Sequence, residues 1–80
     1  MVNIFNIALQ GDTVSCNYTP EDSDLAGYVE IDIETHEVKN VKYSSYEYGK
    51  KMYISQVRSK ISELLNSDKS LPKQAKVVWY

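Results

Sequence analysis

The side chains best placed to do chemistry are three carboxylates, Glu30, Asp32 and Glu34, in the segment GYVEIDIE. Spaced two apart on a strand, they point to one face, because successive side chains alternate across a pleated sheet. Paired carboxylates can exchange protons with a substrate or hold a hard cation. Either task needs a concave, partly dry setting and a further ligand or base. An open sheet face offers none of that, and Lys42 on the next strand can simply pair with the acids. With Tyr28 on the same side, the trio reads as a surface for recognising a protein partner.

The other reactive groups point away from catalysis. His36 is the sole histidine and Cys16 the sole cysteine, so there is no histidine pair for zinc and no internal disulfide. Cys16 falls in mid-strand on the inward side, where a free thiol packs as a small apolar group. His36 falls on a hairpin tip, away from it. Glu21, Asp22 and Asp24 crowd one loop, but without the ligand spacing, central glycine and closing glutamate of an EF-hand. Gly11, Gly27 and Gly49 stand apart and form no phosphate-binding loop. No catalytic, metal-binding or cofactor-binding residue is assigned, and no cofactor is expected.

Charge is divided along the chain. Residues 1–38 carry eight Asp and Glu and no Lys or Arg; residues 39–80 carry nine Lys and Arg against three acids. The net charge of −2 therefore conceals an acidic first half and a basic second half. The basic stretch interleaves tyrosines with Lys50, Lys51, Arg58 and Lys60, and so offers phosphate neutralisation beside stacking surfaces. That makes nucleic-acid binding through a helix flank an alternative. The net acidity and the lack of a nucleic-acid motif disfavour it.

What must position these groups is an α+β fold. Ser44–Asn66 has a helix's period, with Tyr53, Ile54, Val57, Ile61, Leu64 and Leu65 in one stripe. Ser44 and Glu47 have capping-box spacing, and Tyr43 and Tyr48 stand where a hydrophobic staple would lie. Strands are expected at Asn3–Gln10, Thr13–Thr19, Gly27–Glu34, Glu37–Tyr43 and Ala75–Tyr80. The first is apolar on both sides, with Phe5, Ile7 and Leu9 on one and Ile4 and Ala8 on the other. Parity in the third and fourth strands asks for a three-residue type of loop with a bulge and a left-handed residue at His36, which sends Val41 and Tyr43 inward. The phrase EIDIETHEV resembles a common bacterial strand-turn-strand wording in which glycine replaces His36; it spans nine residues and names no family.

The order β-β-β-β-α-β gives a mainly antiparallel five-stranded sheet with one long helix on one face, a single domain over residues 1–80. The last strand is expected antiparallel beside the first. The core should hold Val14, Cys16, Tyr18, Val29, Ile31, Ile33, Val41, Tyr43, Ile54, Val57, Ile61, Leu64, Val77 and Trp79, with Phe5, Ile7 and Leu9. No run reaches the length of a membrane span, no secretory signal is read, and a single cysteine suits a reducing cytoplasm. The sequence thus reads as a small non-catalytic interaction or regulatory module, its partner an unidentified protein or itself. A homodimer would use the second apolar face of the first strand or the last strand.

Overall fold

A computed structural model describes residues 1–47, 52–67 and 70–78. Five strands, β1 (Val2–Gln10), β2 (Thr13–Pro20), β3 (Gly27–Asp32), β4 (Val38–Lys42) and β5 (Gln74–Val77), form one sheet in the order β4-β3-β2-β1-β5. Every neighbouring pair is antiparallel, β5 beside β1 included. A 3₁₀ turn at Ser45–Glu47 precedes α1 (Met52–Leu65), which packs on one side of the sheet.

The alternation of β2 and β3 makes that side apolar. Val14, Cys16 and Tyr18 of β2 and Val29 and Ile31 of β3 are buried. Tyr53, Ile54, Val57 and Ile61 of α1 close over them from a single stripe. Ile33, Val41, Leu64 and Val77 pack around this cluster, half-buried.

β1 departs from the expected parity. It buries Val2 and Ile4, then Ile7, so one face serves before Asn6 and the opposite parity serves after it. The switch is a β-bulge between Phe5 and Ala8, where the register with β2 shifts by one residue. Asn6 sits there at φ 55°, a left-handed conformation that asparagine tolerates better than most residues. The side of β1 away from the helix therefore carries Asn3, Phe5 and Ala8. Ile4 is core, Phe5 lies half-buried on the uncovered side, and Leu9 is 57% exposed instead of joining the core.

The β3–β4 hairpin keeps the left-handed His36, at φ 61°, but divides its irregularity in two. Asp32 N–H donates to Glu37 O, and His36 N–H donates to Asp32 O, enclosing a four-residue loop from Ile33 to His36. A separate bulge at Lys39 then restores parity and places Val41 opposite Val29. Tyr43 follows the end of β4 and is 43% exposed instead of joining the core. Trp79 and Tyr48, expected in the core and the staple, lie outside the described residues.

The helix does not begin at Ser44, and no capping box forms. Ser44 Oγ accepts from Tyr46 N–H at 3.1 Å and donates to Leu25 O, while Ser44 N–H donates to the Tyr18 hydroxyl at 3.0 Å. Glu47, 3% exposed, instead points at α1. Its Oε1 accepts from Tyr53 N–H at 2.9 Å and Ile54 N–H at 3.1 Å, and its Oε2 accepts from Tyr18 O–H. A carboxylate at a helix N-terminus satisfies orphan amides and opposes the positive end of the helix dipole. One buried chain of hydrogen bonds thus links β2, the 3₁₀ turn and the helix.

Candidate functional site

The helix covers one side of the sheet; among the described residues no element covers the other. Register sets the uncovered rows. Lys42, Tyr28, Asn17, Phe5 and Gln74 lie in one line from β4 to β5, and Asn40, Glu30, Ser15 and Ala8 in the next. Phe5 and Tyr28 are the only large rings in these rows, set on β1 and β3 with Asn17 between them. Two shallow troughs of about 520 and 380 Å³ flank Phe5, the first bordered by Asn3, Gln74 and Lys76, the second by Asn6, Ala8 and Lys73.

Of the four residues singled out for protein recognition, the fold keeps Tyr28 and Glu30 together. The Tyr28 hydroxyl donates to Glu30 Oε2 at 2.7 Å, and this bond, with partial burial, raises the phenol's pKa above its ordinary value. Asp32 ends β3 and is occupied locally: its Oδ1 accepts from Glu34 N–H at 2.8 Å and Thr35 N–H at 3.0 Å. Those turn amides hold its carboxyl below the usual range, helped by the nearby charge of Lys39. Glu34 lies beyond the strand, in the hairpin loop, and does not share the face. Three acids in a row become one outward acid, one turn-forming acid and one loop acid. The signal that could have separated them is the run Asp32-Ile33-Glu34-Thr35, since aspartate commonly bonds backbone amides two and three residues on.

Lys39 reaches across this end of the face, with Nζ 2.8 Å from Thr13 Oγ1 and 3.5 Å from Asp12 Oδ1. With its bulge and Lys42, it also blunts the β4 edge against pairing with another strand. Lys73 and Lys76, at the far side, enter no ion pair among the described residues.

The alternative basic site is less coherent. Arg58 Nε donates to His36 O at 2.8 Å, tying the helix to the hairpin, and Lys60 Nζ pairs with Glu63 Oε1 at 3.5 Å. Lys50 and Lys51 lie outside the described residues. Cys16 is buried, and desolvation pushes its thiol up to about 12, so the reactive thiolate is scarce near neutrality. Among the described residues, no group of three or more His, Cys, Asp and Glu side chains could hold a metal ion. No helix among them is long and apolar enough to cross a membrane. Comparison with known proteins places nothing beside this chain: no family model, no curated protein and no solved structure matches it.

Proposed function

We propose that this chain is a small, non-catalytic interaction module that engages a protein partner through the open face of its sheet. The observation that carries the reading is the uncovered Phe5–Asn17–Tyr28 row, two rings flanking an amide on the central strands, with Glu30 beside it. Aromatic side chains supply contact area at low entropic cost, and a hydrogen-bonded charge beside them gives orientation. The buried free thiol supports a reducing compartment, hence a cytoplasmic partner.

The test is capture from source-cell lysate with wild type beside a Tyr28→Ala/Glu30→Gln double variant. Asp32 is left intact, because its carboxylate holds the hairpin turn and its loss would confound binding with folding. A partner kept by the wild type and lost by the variant supports the reading. Retention of the same partners by both refutes it.

A further inference from the structure

Resting on that reading, we infer that the partner meets the open face with a proline-rich segment in the polyproline II conformation. Its prolines stand three residues apart, with an acidic residue outside each. The row of rings sets that spacing. Phe5 on β1 and Tyr28 on β3 are both paired with Asn17 of β2. Antiparallel partners stand alternately about 4.5 and 5.5 Å apart, so the two rings spring from backbone positions about 10 Å apart. A polyproline II helix has three residues per turn and rises about 3.1 Å per residue, returning a side chain to one side about every 9.3 Å. Residues i and i+3 of such a segment therefore seat on Tyr28 and Phe5 together, the chain lying across the strands. An extended strand turns i and i+3 to opposite sides. An α-helix returns to the same side about 10.5 Å on, at i+7, but it bonds its own backbone and buries an apolar stripe.

The surroundings of the rings suit a backbone with no hydrogen bonds of its own. Polyproline II carbonyls are unpaired and take donors from outside. The neighbours of the two rings are chiefly amides, not aliphatic side chains. Asn17 is held between them, its Nδ2 donating to Gly27 O at 3.2 Å and its Oδ1 accepting from Asn6 Nδ2 at 3.1 Å. Asn3 beside Phe5, Gln74 beyond it on β5, and Asn40 one row from Tyr28 keep their side-chain amides free of hydrogen bonds among the described residues. The troughs on either side of Phe5 leave room for a proline ring.

The charges on this side sort in the same way. Lys39 is engaged with Thr13 and Asp12, Asp32 with the hairpin amides, and Glu30 with the Tyr28 hydroxyl. Lys42 and Lys76 remain, both exposed and in no ion pair among the described residues. Lys42 ends the ring row on β4. Lys76 stands beside that row at its β5 end, on the flank opposite Glu30. A segment lying along the row thus meets an ammonium group outside each ring, which acidic flanking residues complement. So small a patch binds weakly, at roughly 0.1–1 mM, and salt weakens it further.

The deciding experiment follows the amide chemical shifts of isotope-labelled protein during titration with three capped peptides. These are EAPAAPAE, EAPAPAAE with its prolines two apart, and KAPAAPAK. The first should move the amides of Phe5, Asn17, Tyr28, Lys42 and Gln74 and leave α1 unmoved. The other two should bind at least about fivefold more weakly, the loss of one ring contact or of both charge matches. A Lys42→Glu/Lys76→Glu variant, altered only at exposed positions, should reverse the preference between EAPAAPAE and KAPAAPAK. No response to EAPAAPAE, an equal response to both proline spacings, or a charge preference that the variant leaves unchanged overturns the inference. So does a response to single-stranded oligothymidylate, or a mass that doubles with concentration, where the peptide has no effect: the face then belongs to a nucleic acid or a second copy. Lysate capture keeps the two readings apart. Partners that depend on Tyr28 and Glu30 while no peptide binds would leave the open face as a protein site and overturn only the proline-rich assignment. Partners kept by the Tyr28→Ala/Glu30→Gln variant overturn both.

Discussion

Glu47→Ala should be among the most damaging single changes outside the apolar core. The substitution removes one buried carboxylate and three hydrogen bonds together, from Tyr18 O–H, Tyr53 N–H and Ile54 N–H. Loss of a helix cap costs about 1–2 kcal/mol. A buried hydroxyl left without its acceptor adds about 1–3 kcal/mol, reduced where water enters the space. The sum is roughly 2–4 kcal/mol, set against a total of about 4–12 kcal/mol expected for a domain of this length. With a urea m-value of about 1–1.5 kcal/mol per molar, the unfolding midpoint should fall by roughly 2 M. Glu47→Gln should lie between, because the amide oxygen can still cap the helix while its nitrogen cannot accept from Tyr18. Native-state hydrogen exchange locates the effect: protection at Tyr53 and Ile54 should fall by more than protection in β2 and β3. A double-mutant cycle with Tyr18→Phe should show coupling of about 1 kcal/mol or more. A loss under about 0.5 kcal/mol, or unchanged exchange at Tyr53 and Ile54, would refute the assignment of Glu47 as the clamp between sheet and helix.

Gly27→Ala should destabilise by about 1–3 kcal/mol in the same urea assay, through overpacking. The added Cβ would stand 2.4 Å from Tyr18 Cε1 and 2.7 Å from Ser44 N, and a neutral result would show that Tyr18 can move. His36→Gly should be neutral or stabilising by up to about 1 kcal/mol, because the left-handed position strains any side chain; a clear fall in the urea midpoint would contradict that. The Glu21 carboxyl is held below its ordinary pKa, first by the Tyr53 hydroxyl and then by the chain's amino terminus. A folded-state pKa below the unfolded one means stabilisation present above the unfolded value and lost as pH falls through the folded one. Stability should therefore drop on acidification below about pH 4–5, and Glu21→Gln should flatten that part of the profile.

The strand order was legible because it follows from elementary constraints. Alternation in TVSCNYT and GYVEID names two faces, short turns make neighbours antiparallel, and a helix of this reach returns the chain to the first strand's free edge. What escaped local reading was the use of polar residues over long range. Ser44 and Glu47 have the right spacing to cap one another, yet Tyr18, far away in sequence, offers Ser44 an acceptor and Glu47 a donor inside the core. Tertiary satisfaction of a buried polar group outweighs a local motif. In β1 Ile4 and Ile7, on opposite parities, belong to one face interrupted by a bulge, with Phe5 and Ala8 on the other, and Asn6 was the available clue. In the candidate site, Tyr28 and Glu30 could be read from alternation. Phe5, assigned to the core, belongs to the site instead, because the bulge reverses the parity on which that assignment stood.

The pairing of β5 with β1 has a kinetic meaning. The first four strands form a meander whose contacts are close in sequence, and local contacts form quickly. The fifth joins Val2 to Val77 and Phe5 to Gln74, nearly the whole described chain apart. During synthesis β1 has one bare edge until the last strand emerges, so early chains carry an unprotected strand that later ones lack. Closing that edge is the step at which refolding should be slowest and most vulnerable to misassociation between molecules.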